Sequence, residues 1–328
     1  MTGIVINNNA GVYTIFSEGN TYKVKACGRL RKTKVLEANP NAVSLKKEIR
    51  HISNSPKVGD HVIFNDDMIE DILPRKNTLK RPNISNVDQI LLVFAAKDPT
   101  FSFYLLDLFI VNIIKENIVP VIVVTKIDKL TEEELNELKS KLSYYDKLGY
   151  KILYVDSINK IGIDDLSKVL ENKITVLSGQ TGAGKSTLIN ALIPDFNLKT
   201  DEISKALGRG KHTTRETTLY TYKNGYIGDT PGFSKLDLAK ITPQGLSSYF
   251  IEFKNYHCRF NDCNHLLNSK DCMIKDAYEK GEILKERYED YLRMYKEAKG
   301  DRKWKFLCQY YHVIIQMLKE AYKIHLKQ

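Results

Sequence analysis

The chain has 328 residues, of which 42% are hydrophobic and 27% charged, values typical of a globular protein and not of a fibrous or disordered one. Lysine and arginine outnumber aspartate and glutamate by 50 to 40; the net charge of +10 fits either an anionic partner or an ordinary basic enzyme. Five cysteines, three of them within fifteen residues, argue against a secreted disulfide framework and favour a reducing compartment with a local metal site.

Residues 1–75 are predicted to form the short strands of a small β-barrel. Segments 11–16, 22–26 and 61–64 alternate in polarity or carry β-branched and aromatic residues. The basic run 29–34 is either a solvated face or a contact to a phosphate backbone. Residues 73–82, with two prolines, are predicted to be a linker.

From Val87 onward, strands alternate with helices, which predicts a doubly wound parallel α/β sheet. Thr131 and the three glutamates after it predict the start of a helix. Ligands on such sheets bind at the carboxyl ends of the strands. The predicted strands are residues 90–96, 119–124, 151–155 and 173–178, and the predicted helices are 101–117, 131–148 and 163–170.

A phosphate-binding loop is the strongest motif. Residues 179–186, G-Q-T-G-A-G-K-S, match G-x-x-x-x-G-K-[ST] between a predicted strand and a predicted helix. The glycines let backbone N–H groups converge on phosphates at a helix N-terminus, which adds positive potential. Lys185 is predicted to reach the β- and γ-phosphates, and Ser186 to place its hydroxyl on Mg²⁺.

A T-K-x-D sequence follows the second predicted strand and resembles the base-reading loop of GTPases. Its last residue, Asp128, suits guanine because two carboxylate oxygens can accept from the ring N–H and the exocyclic amine together. Each such charge-assisted bond contributes about 1.5–3 kcal/mol. Lys126 can lay its methylene stem against the base. Ser157, after the third strand, is expected in a loop that supports the base.

Two later segments are candidate switches. D-T-P-G resembles the D-x-x-G loop, in which Asp229 would hold Mg²⁺ through water and the Gly232 N–H would sense the γ-phosphate. Upstream, Thr213 or Thr214 is the predicted second hydroxyl on Mg²⁺. Between them lies a predicted hairpin over residues 217–228 that turns at Asn224 and Gly225.

The residue after D-T-P-G is Phe233, where many GTPases carry a glutamine that orients water. A phenyl ring cannot orient water, so we expect low intrinsic turnover. Either His212 or a partner supplies the missing group; alternatively, His212 is an ordinary surface histidine.

The order of the motifs carries information of its own. The base loop precedes the phosphate loop, whereas ordinary small GTPases have it last. Because all these loops lie along one edge of the sheet, relocating the chain termini need not alter the site. The sequence therefore predicts a circularly permuted GTPase, with the second switch directly before the C-terminal region.

A cysteine and histidine cluster lies in the C-terminal region, with the spacing C-x₄-C-x-H-x₆-C. Three thiolates and one imidazole form a closed tetrahedral set for structural Zn²⁺, with no open position for catalysis. His257 is a less well placed rival imidazole, and Cys27 and Cys308 are predicted to be ordinary apolar residues. The predicted ligands are Cys258, Cys263, His265 and Cys272.

The positive charge leans towards the two ends of the chain. Residues 1–75 carry a net +3 and residues 253–328 a net +5, leaving +2 for the segment between them. The basic helical stretch that includes residues 302–305 either contacts RNA or packs on its own domain.

Together these motifs resemble the circularly permuted GTPase family of small ribosomal subunit biogenesis GTPase A, over nearly the whole chain. The resemblance implies an N-terminal OB-fold β-barrel, a permuted P-loop GTPase core and a C-terminal α-helical zinc domain. We place these domains at residues 1–75, 76–240 and 241–328. It also implies a cytoplasmic GTPase that assists late maturation of the small (30S) ribosomal subunit, whose binding stimulates hydrolysis.

The resemblance also implies roles for individual residues. The cofactors are one structural Zn²⁺ and the Mg²⁺ that accompanies GTP, bound by Ser186 and Thr214; the catalytic residues are His212 and Lys185. The partners are GTP or GDP, the 30S subunit and its 16S-type rRNA, bound by a monomer. The residues expected to bind GTP are Thr125, Lys126, Ile127, Asp128, Ser157, Gly179, Gln180, Thr181, Gly182, Ala183, Gly184, Lys185, Ser186, Thr187, Thr213, Thr214, Asp229 and Gly232.

Two features depart from the family pattern. The last zinc spacing is one residue longer than expected, with S-K-D-C in place of E-P-G-C, and the base loop has Thr125 in place of the commoner asparagine. Two alternative functions remain: a P-loop metabolite kinase, which would not need Asp128, and a nucleotide-gated RNA-binding module with negligible hydrolysis.

The N-terminus and the apolar runs bear on localisation. The first residues lack the basic and apolar regions of a signal peptide, and no apolar run approaches the eighteen or so residues that cross a bilayer. We therefore expect a cytoplasmic protein without a membrane-spanning segment.

Overall fold

The structure is a computed structural model that describes residues 1–31, 33–38, 47–52, 55–79, 82–193, 217–229, 238 and 241–300. Two compact units make up the chain. The first comprises Met1–Phe101, Glu116–Lys139 and Tyr150–Lys235, and the second comprises Ser102–Lys115, Ser140–Gly149 and Leu236–Gln328.

The N-terminal part of the first unit is a closed β-barrel. Strand β1 pairs with β2 on one side and with β6 on the other, which closes the ring in the order β1-β2-β3-β7-β6. Apolar residues alternate with polar ones along these strands, and one face supplies a core that includes Val5, Ile15, Val62 and Phe64. The elements are β1 (Thr2–Asn9), β2 (Val12–Ser17), β3 (Asn20–Ala26), α1 (Gly28–Arg31), β4 (Thr33–Ala38), β5 (Lys47–Ile52), β6 (His61–Phe64) and β7 (Met68–Ile72).

The segment predicted as a linker is bound to the barrel. It contains the short strand β8 (Thr78–Leu79), which pairs with β9 (Ile84–Ser85) directly after it. Arg75 donates from Nε and Nη2 to both carboxylate oxygens of the fully buried Asp60, at 2.7 Å each. The Ser85 hydroxyl donates to the same carboxylate at 2.5 Å. A bidentate, charge-assisted pair of this kind fixes the direction in which the chain leaves the barrel.

A mostly parallel sheet follows, as the alternation of strands and helices predicts. Its order is β12-β11-β10-β13-β15-β14, and only the β14 pairing is antiparallel. Thr131 and Glu134 cap α3 reciprocally, with the Glu134 N–H donating to Thr131 Oγ1 and the Thr131 N–H to Glu134 Oε2. The elements are β10 (Gln89–Ala95), α2 (Phe103–Lys115), β11 (Val119–Thr125), a 3₁₀ turn (Ile127–Lys129), α3 (Glu132–Lys147), β12 (Lys151–Val155), α4 (Ile163–Leu170), β13 (Ile174–Gly179), α5 (Lys185–Leu192), β14 (Thr218–Tyr222) and β15 (Gly225–Asp229).

The hairpin of β14 and β15 turns one residue earlier than predicted. Tyr222 pairs with Gly225, so the turn residues are Lys223 and Asn224, both with positive φ. Two successive positive φ values are those of a type I′ turn. Gly225 lies inside β15, where a Cβ would come within 2.5 Å of the Lys173 carbonyl oxygen, so this glycine serves close packing between chain segments.

The barrel and the parallel sheet share hydrogen bonds. Strand β1 pairs with β14 at Asn7 and Thr218, and the Asn7 side-chain amide donates to the Thr218 hydroxyl at 2.8 Å. The two sheets therefore form one continuous sheet of eleven strands within the first unit.

The second unit is helical in its described part, as predicted for the residues after Thr242. Helix α2 belongs to it, and Val111 of α2 shares a core with Phe250, Tyr288 and Met294. The remaining elements are α6 (Pro243–Leu246), the 3₁₀ segments Ser247–Tyr249 and Ile251–Asn255, α7 (Met273–Glu279) and α8 (Lys285–Ala298).

A charged network lies inside this helical unit. Arg287 of α8 is fully buried and donates from Nε to Glu252 at 2.7 Å and from Nη1 to Asp107 of α2 at 2.6 Å. Its guanidinium lies 4.4 Å from the centre of the Phe250 ring, and Tyr145 donates to Asp107 at 2.8 Å. Both carboxylates therefore have charged or hydroxyl donors, which buried acids require.

Among the described residues, no helix combines the length and apolar character needed to cross a membrane.

Candidate nucleotide and metal sites

The phosphate loop leaves β13 and enters α5, as predicted. Gly179 has φ 120°, and a Cβ there would meet the Val93 carbonyl oxygen at 2.2 Å, so only glycine fits. Gly182 and Gly184 also have positive φ, and Ala183 between them is buried. Helix α5 begins at Lys185, so the loop lies at a helix N-terminus, where N–H groups and the dipole favour an anion.

Lys185 is directed at the loop itself. Its ammonium donates to the carbonyl oxygens of Gln180 at 2.7 Å and Gly179 at 3.2 Å. Burial lowers the pKa of Lys185 to about 8, because the charged form has lost part of its hydration. A phosphate placed on the loop would favour the charged form, so the same burial that costs free energy strengthens an interaction with an anion.

The base-reading loop lies against the phosphate loop. The buried Thr125 hydroxyl donates to the Ala183 carbonyl at 2.5 Å, and the Lys126 ammonium donates to the Gly182 carbonyl at 2.8 Å. Ile127 and Asp128 follow in the 3₁₀ turn, and the Asp128 side chain is exposed. Thr125, which stands where asparagine is commoner, thus has a structural role that the sequence did not suggest. It links the base-reading loop to the phosphate loop.

The remaining described site residues lie along the same edge of the sheet. Ser157 follows β12 in a turn organised by the buried Asp156, whose carboxylate accepts from the N–H groups of Ile158 and Asn159 at 2.9 and 3.1 Å. Although burial alone would raise it, these bonds hold the pKa of Asp156 below its ordinary value. Ser186 and Thr187 occupy the first turn of α5.

The switch residues are described only in part. Asp229 ends β15, the parallel neighbour of β13, so its backbone is at the expected edge. The Asp229 side chain and the whole of His212, Thr213, Thr214 and Gly232 lie outside the described residues.

One contributor to this edge was missed by the sequence analysis. Residues 97–101 follow β10, the strand between β11 and β13, and contact both motifs. The Thr100 carbonyl accepts from Gln180 Nε2 at 2.8 Å, and the Asp98 carbonyl accepts from the Lys126 ammonium. The acceptors are main-chain carbonyls, so no side-chain pattern marks them; the sheet order is the signal that could have located them.

The four predicted metal ligands come together in the helical unit. The ligand atoms of Cys258, Cys263, His265 and Cys272 all lie within 4.8 Å of one another. Cys258 Sγ is 3.5 Å from His265 Nδ1 and 3.9 Å from Cys272 Sγ. Ligands about 2.3 Å from a tetrahedral centre are about 3.8 Å apart, so these residues fit a four-coordinate ion such as Zn²⁺.

The surroundings of the cluster favour a bound cation. Burial, with the neighbouring Cys258 and Cys263 thiols, raises the pKa of Cys272 to about 12, so three thiolates cannot share this space without a positive charge. Burial also lowers the pKa of His265 and keeps the imidazole neutral, as a ligand must be.

Two tyrosines of α8 hold the loop that carries His265, the predicted histidine ligand. The Tyr288 hydroxyl donates to the His265 carbonyl at 2.9 Å, and the Tyr291 hydroxyl donates to the Asn264 carbonyl at 2.8 Å. The longer last spacing of the cluster therefore leaves the four ligands together.

Comparison with known proteins places these sites in a family. The sequence model of the RsgA GTPase family matches residues 72–239. A "Small ribosomal subunit biogenesis GTPase RsgA" from Phytoplasma australiense is 44% identical over 309 residues, covering 92% of this chain and 97% of the relative. The protein of the same name from Onion yellows phytoplasma is 48% identical over 255 residues, 76% of this chain and 83% of the relative.

Solved structures of similar proteins share the fold of this chain over most of its length. YjeQ from Thermotoga maritima superposes with a TM-score of 0.75 at 32% identity, covering 91% of this chain and 98% of that one. YloQ, described as a circularly permuted GTPase, superposes with a TM-score of 0.71 at 29% identity, covering 92% and 95%. The predicted permuted fold is thereby confirmed, and the chain belongs to the RsgA GTPase family.

Proposed function

We propose that this chain hydrolyses GTP, binds the small ribosomal subunit, assists its late maturation and uses hydrolysis to time its own release. The observation that carries the proposal is the direct contact between the base loop and the phosphate loop, through Thr125 and Lys126. Asp128 is exposed two residues beyond Lys126, so this contact supports a site in which Asp128 reads a guanine base while the phosphate loop holds the phosphates. We propose the small ribosomal subunit as the partner because the names of two relatives refer to it.

Each part of the site has a proposed task. Backbone N–H groups of the phosphate loop and Lys185 bind the β- and γ-phosphates, Asp128 reads the guanine, and the Ser157 turn supports the base. Ser186 and Thr214 bind Mg²⁺, with Asp229 acting through water, and the Gly232 N–H senses the γ-phosphate. We assign His212 to orienting the attacking water, because Phe233 cannot. The remaining GTP contacts are those given above for residues 125–128, 179–187, 213 and 214.

The flanking regions have proposed binding roles. The net charges of +3 in residues 1–75 and +5 in residues 253–328 suit the barrel and the C-terminal region to 16S-type rRNA. We place the domains at residues 1–75, 76–240 and 241–328, and the protein in the cytoplasm as a monomer that associates with the subunit.

The test is GTP turnover with purified small subunits, with large subunits as the control. Stimulation by small subunits alone is expected. Binding without stimulation would instead favour a nucleotide-gated RNA-binding module. Asp128→Asn should lose the preference for GTP over XTP; an unchanged preference would favour a metabolite kinase.

We further propose that the cluster of three cysteines and one histidine binds one structural Zn²⁺. Metal analysis of the purified protein should find one equivalent of zinc, and Cys263→Ser should lose it. Cys27→Ser, a half-buried cysteine of the barrel, is the matched control and should keep the metal. Zinc-free wild-type protein would contradict the assignment.

A further inference from the structure

Residues 97–101, which we call the brace segment, lie between the two nucleotide-binding motifs. In the parallel sheet, Ala95 at the end of β10 is in register with Thr125 on one side, and Val93 is in register with Gly179 on the other. The chain that continues beyond β10 therefore emerges between the base loop and the phosphate loop. None of its residues belongs to either motif.

The brace segment holds the base loop through Asp98. The Asp98 carbonyl accepts from the Lys126 ammonium, and its carboxylate lies 3.0 Å from the Lys129 ammonium. The hydrogen bond from Lys129 and its charge lower the pKa of Asp98, so the carboxylate is ionised at neutral pH. Both lysines flank Asp128, the residue that reads the base.

The brace segment also holds the phosphate loop, through Gln180. The Gln180 amide donates to the Thr100 carbonyl at 2.8 Å, while the Gln180 main-chain carbonyl accepts from the Lys185 ammonium at 2.7 Å. Pro99 of the brace segment lies against the phosphate loop, because its Cδ would be 3.6 Å from a Cβ placed on Gly182. The Gln180 side chain therefore links the brace segment to the phosphate loop, and the main-chain carbonyl of the same residue accepts from Lys185.

We propose that the brace segment fixes the base loop and the phosphate loop at the separation that a guanine nucleotide spans, with Asp98 and Gln180 as positioning residues. The inference rests on the proposed function. Neither side chain has to touch the reacting atoms; each lowers the cost of ordering two loops that must bind opposite ends of one ligand.

The test is the Kd for a fluorescent GDP analogue, measured for the purified full chain well below its unfolding temperature. Gln180→Met keeps the side-chain volume but removes the bond to Thr100, and should weaken GDP binding about 5-fold, the equivalent of one hydrogen bond. Asp98→Ala should weaken it about 2- to 5-fold at low salt, and the effect should fade at high salt, as for an exposed ion pair.

A matched control and a double variant complete the experiment. Asp165→Ala removes an ion pair of similar exposure and length, Asp165 with Lys168 at 3.1 Å, and should leave the GDP affinity unchanged. If Asp98 and Gln180 act through one segment, the combined loss should differ from the product of the single losses by at least about 2-fold.

The outcomes are distinguishable. Wild-type protein that fails to bind the GDP analogue would overturn the proposed function itself. Wild-type binding with unchanged affinities in Asp98→Ala and Gln180→Met would overturn the brace segment alone. Lowered melting temperatures with unchanged Kd values would also overturn it, because they indicate a purely structural role.

Discussion

Two cations, the fully buried Arg287 and the half-buried Lys185, lie one in each unit and differ in their partners. Arg287 of the helical unit has two carboxylate partners, Asp107 and Glu252, and the ring of Phe250. Burial alone would lower its pKa, but the two carboxylates hold the pKa well above its ordinary value. Lys185 of the phosphate loop rests on carbonyl oxygens, and burial lowers its pKa to about 8.

The difference separates a structural charge from a functional one. When a buried ion is paired within the chain, its partner offsets the free-energy cost of its desolvation in the folded protein. Such an ion does not need a ligand to compensate its charge. A half-buried cation that contacts only neutral carbonyl groups keeps most of its attraction for an anion. Binding of the anion then offsets the free-energy cost of desolvating the cation. The comparison therefore favours a stabilising role for Arg287 and supports the proposed role of Lys185 in nucleotide binding.

The largest effect is expected at Arg287. Arg287→Met should lower the free energy of unfolding by about 3–5 kcal/mol, because Asp107 and Glu252 would remain buried without their counter-charge. Urea unfolding followed by circular dichroism measures it. Adding Asp107→Asn and Glu252→Gln should recover part of the loss, since amides are cheaper to bury than carboxylates. A single variant as stable as the wild type would break the comparison.

Sequence reasoning succeeded where chemistry is written in local patterns. The phosphate loop, the base loop and the metal ligands are each defined by residue types at fixed spacing, and the structure brings each set together. The capping box at Thr131 and the alternating strands of the barrel are equally local.

It failed where partners are distant or carry no side-chain signature. Asp107 and Arg287 are 180 positions apart, and a charged residue on an amphipathic helix is expected to face solvent. The brace segment works largely through carbonyl oxygens, which every residue has. The hairpin turn was misplaced because Gly225 looks like a turn residue, although close packing against Lys173 is what requires it.

At Lys185 the comparison predicts a loss of function without a loss of fold. Lys185→Ala should reduce GTP hydrolysis by about 10²- to 10³-fold, the usual effect of removing one preorganised donor from developing charge. The urea midpoint should stay the same or rise, because a partly desolvated cation is removed. Lys168→Ala, an exposed lysine of the same unit, is the control and should leave turnover unchanged. Unfolding of the Lys185 variant would show that this charge, too, is structural.

The smallest effect concerns a charge neutralised by a proton. Asp290 of α8 has a buried Oδ2, and its carboxyl group lies close to the carboxyl group of Asp107. Burial, and then the nearby Asp107, raise the pKa of Asp290 to about 8. Because this value lies above the unfolded one, the folded state holds the proton more tightly, and stability should fall as the pH rises towards 8.

Asp290→Asn removes that proton equilibrium while keeping the size of the side chain. Between pH 6 and 8 the wild type should lose melting temperature, and the variant should lose less, by at least about 2 °C. Asp107, whose pKa burial raises to about 6, should add a fall in stability with rising pH mainly below pH 6, outside this window. Asp164→Asn, at an exposed position of the first unit, should run parallel to the wild type. Parallel curves for Asp290→Asn would mean that Asp290 is ionised when folded, and that the helical unit tolerates this charge beside Asp107.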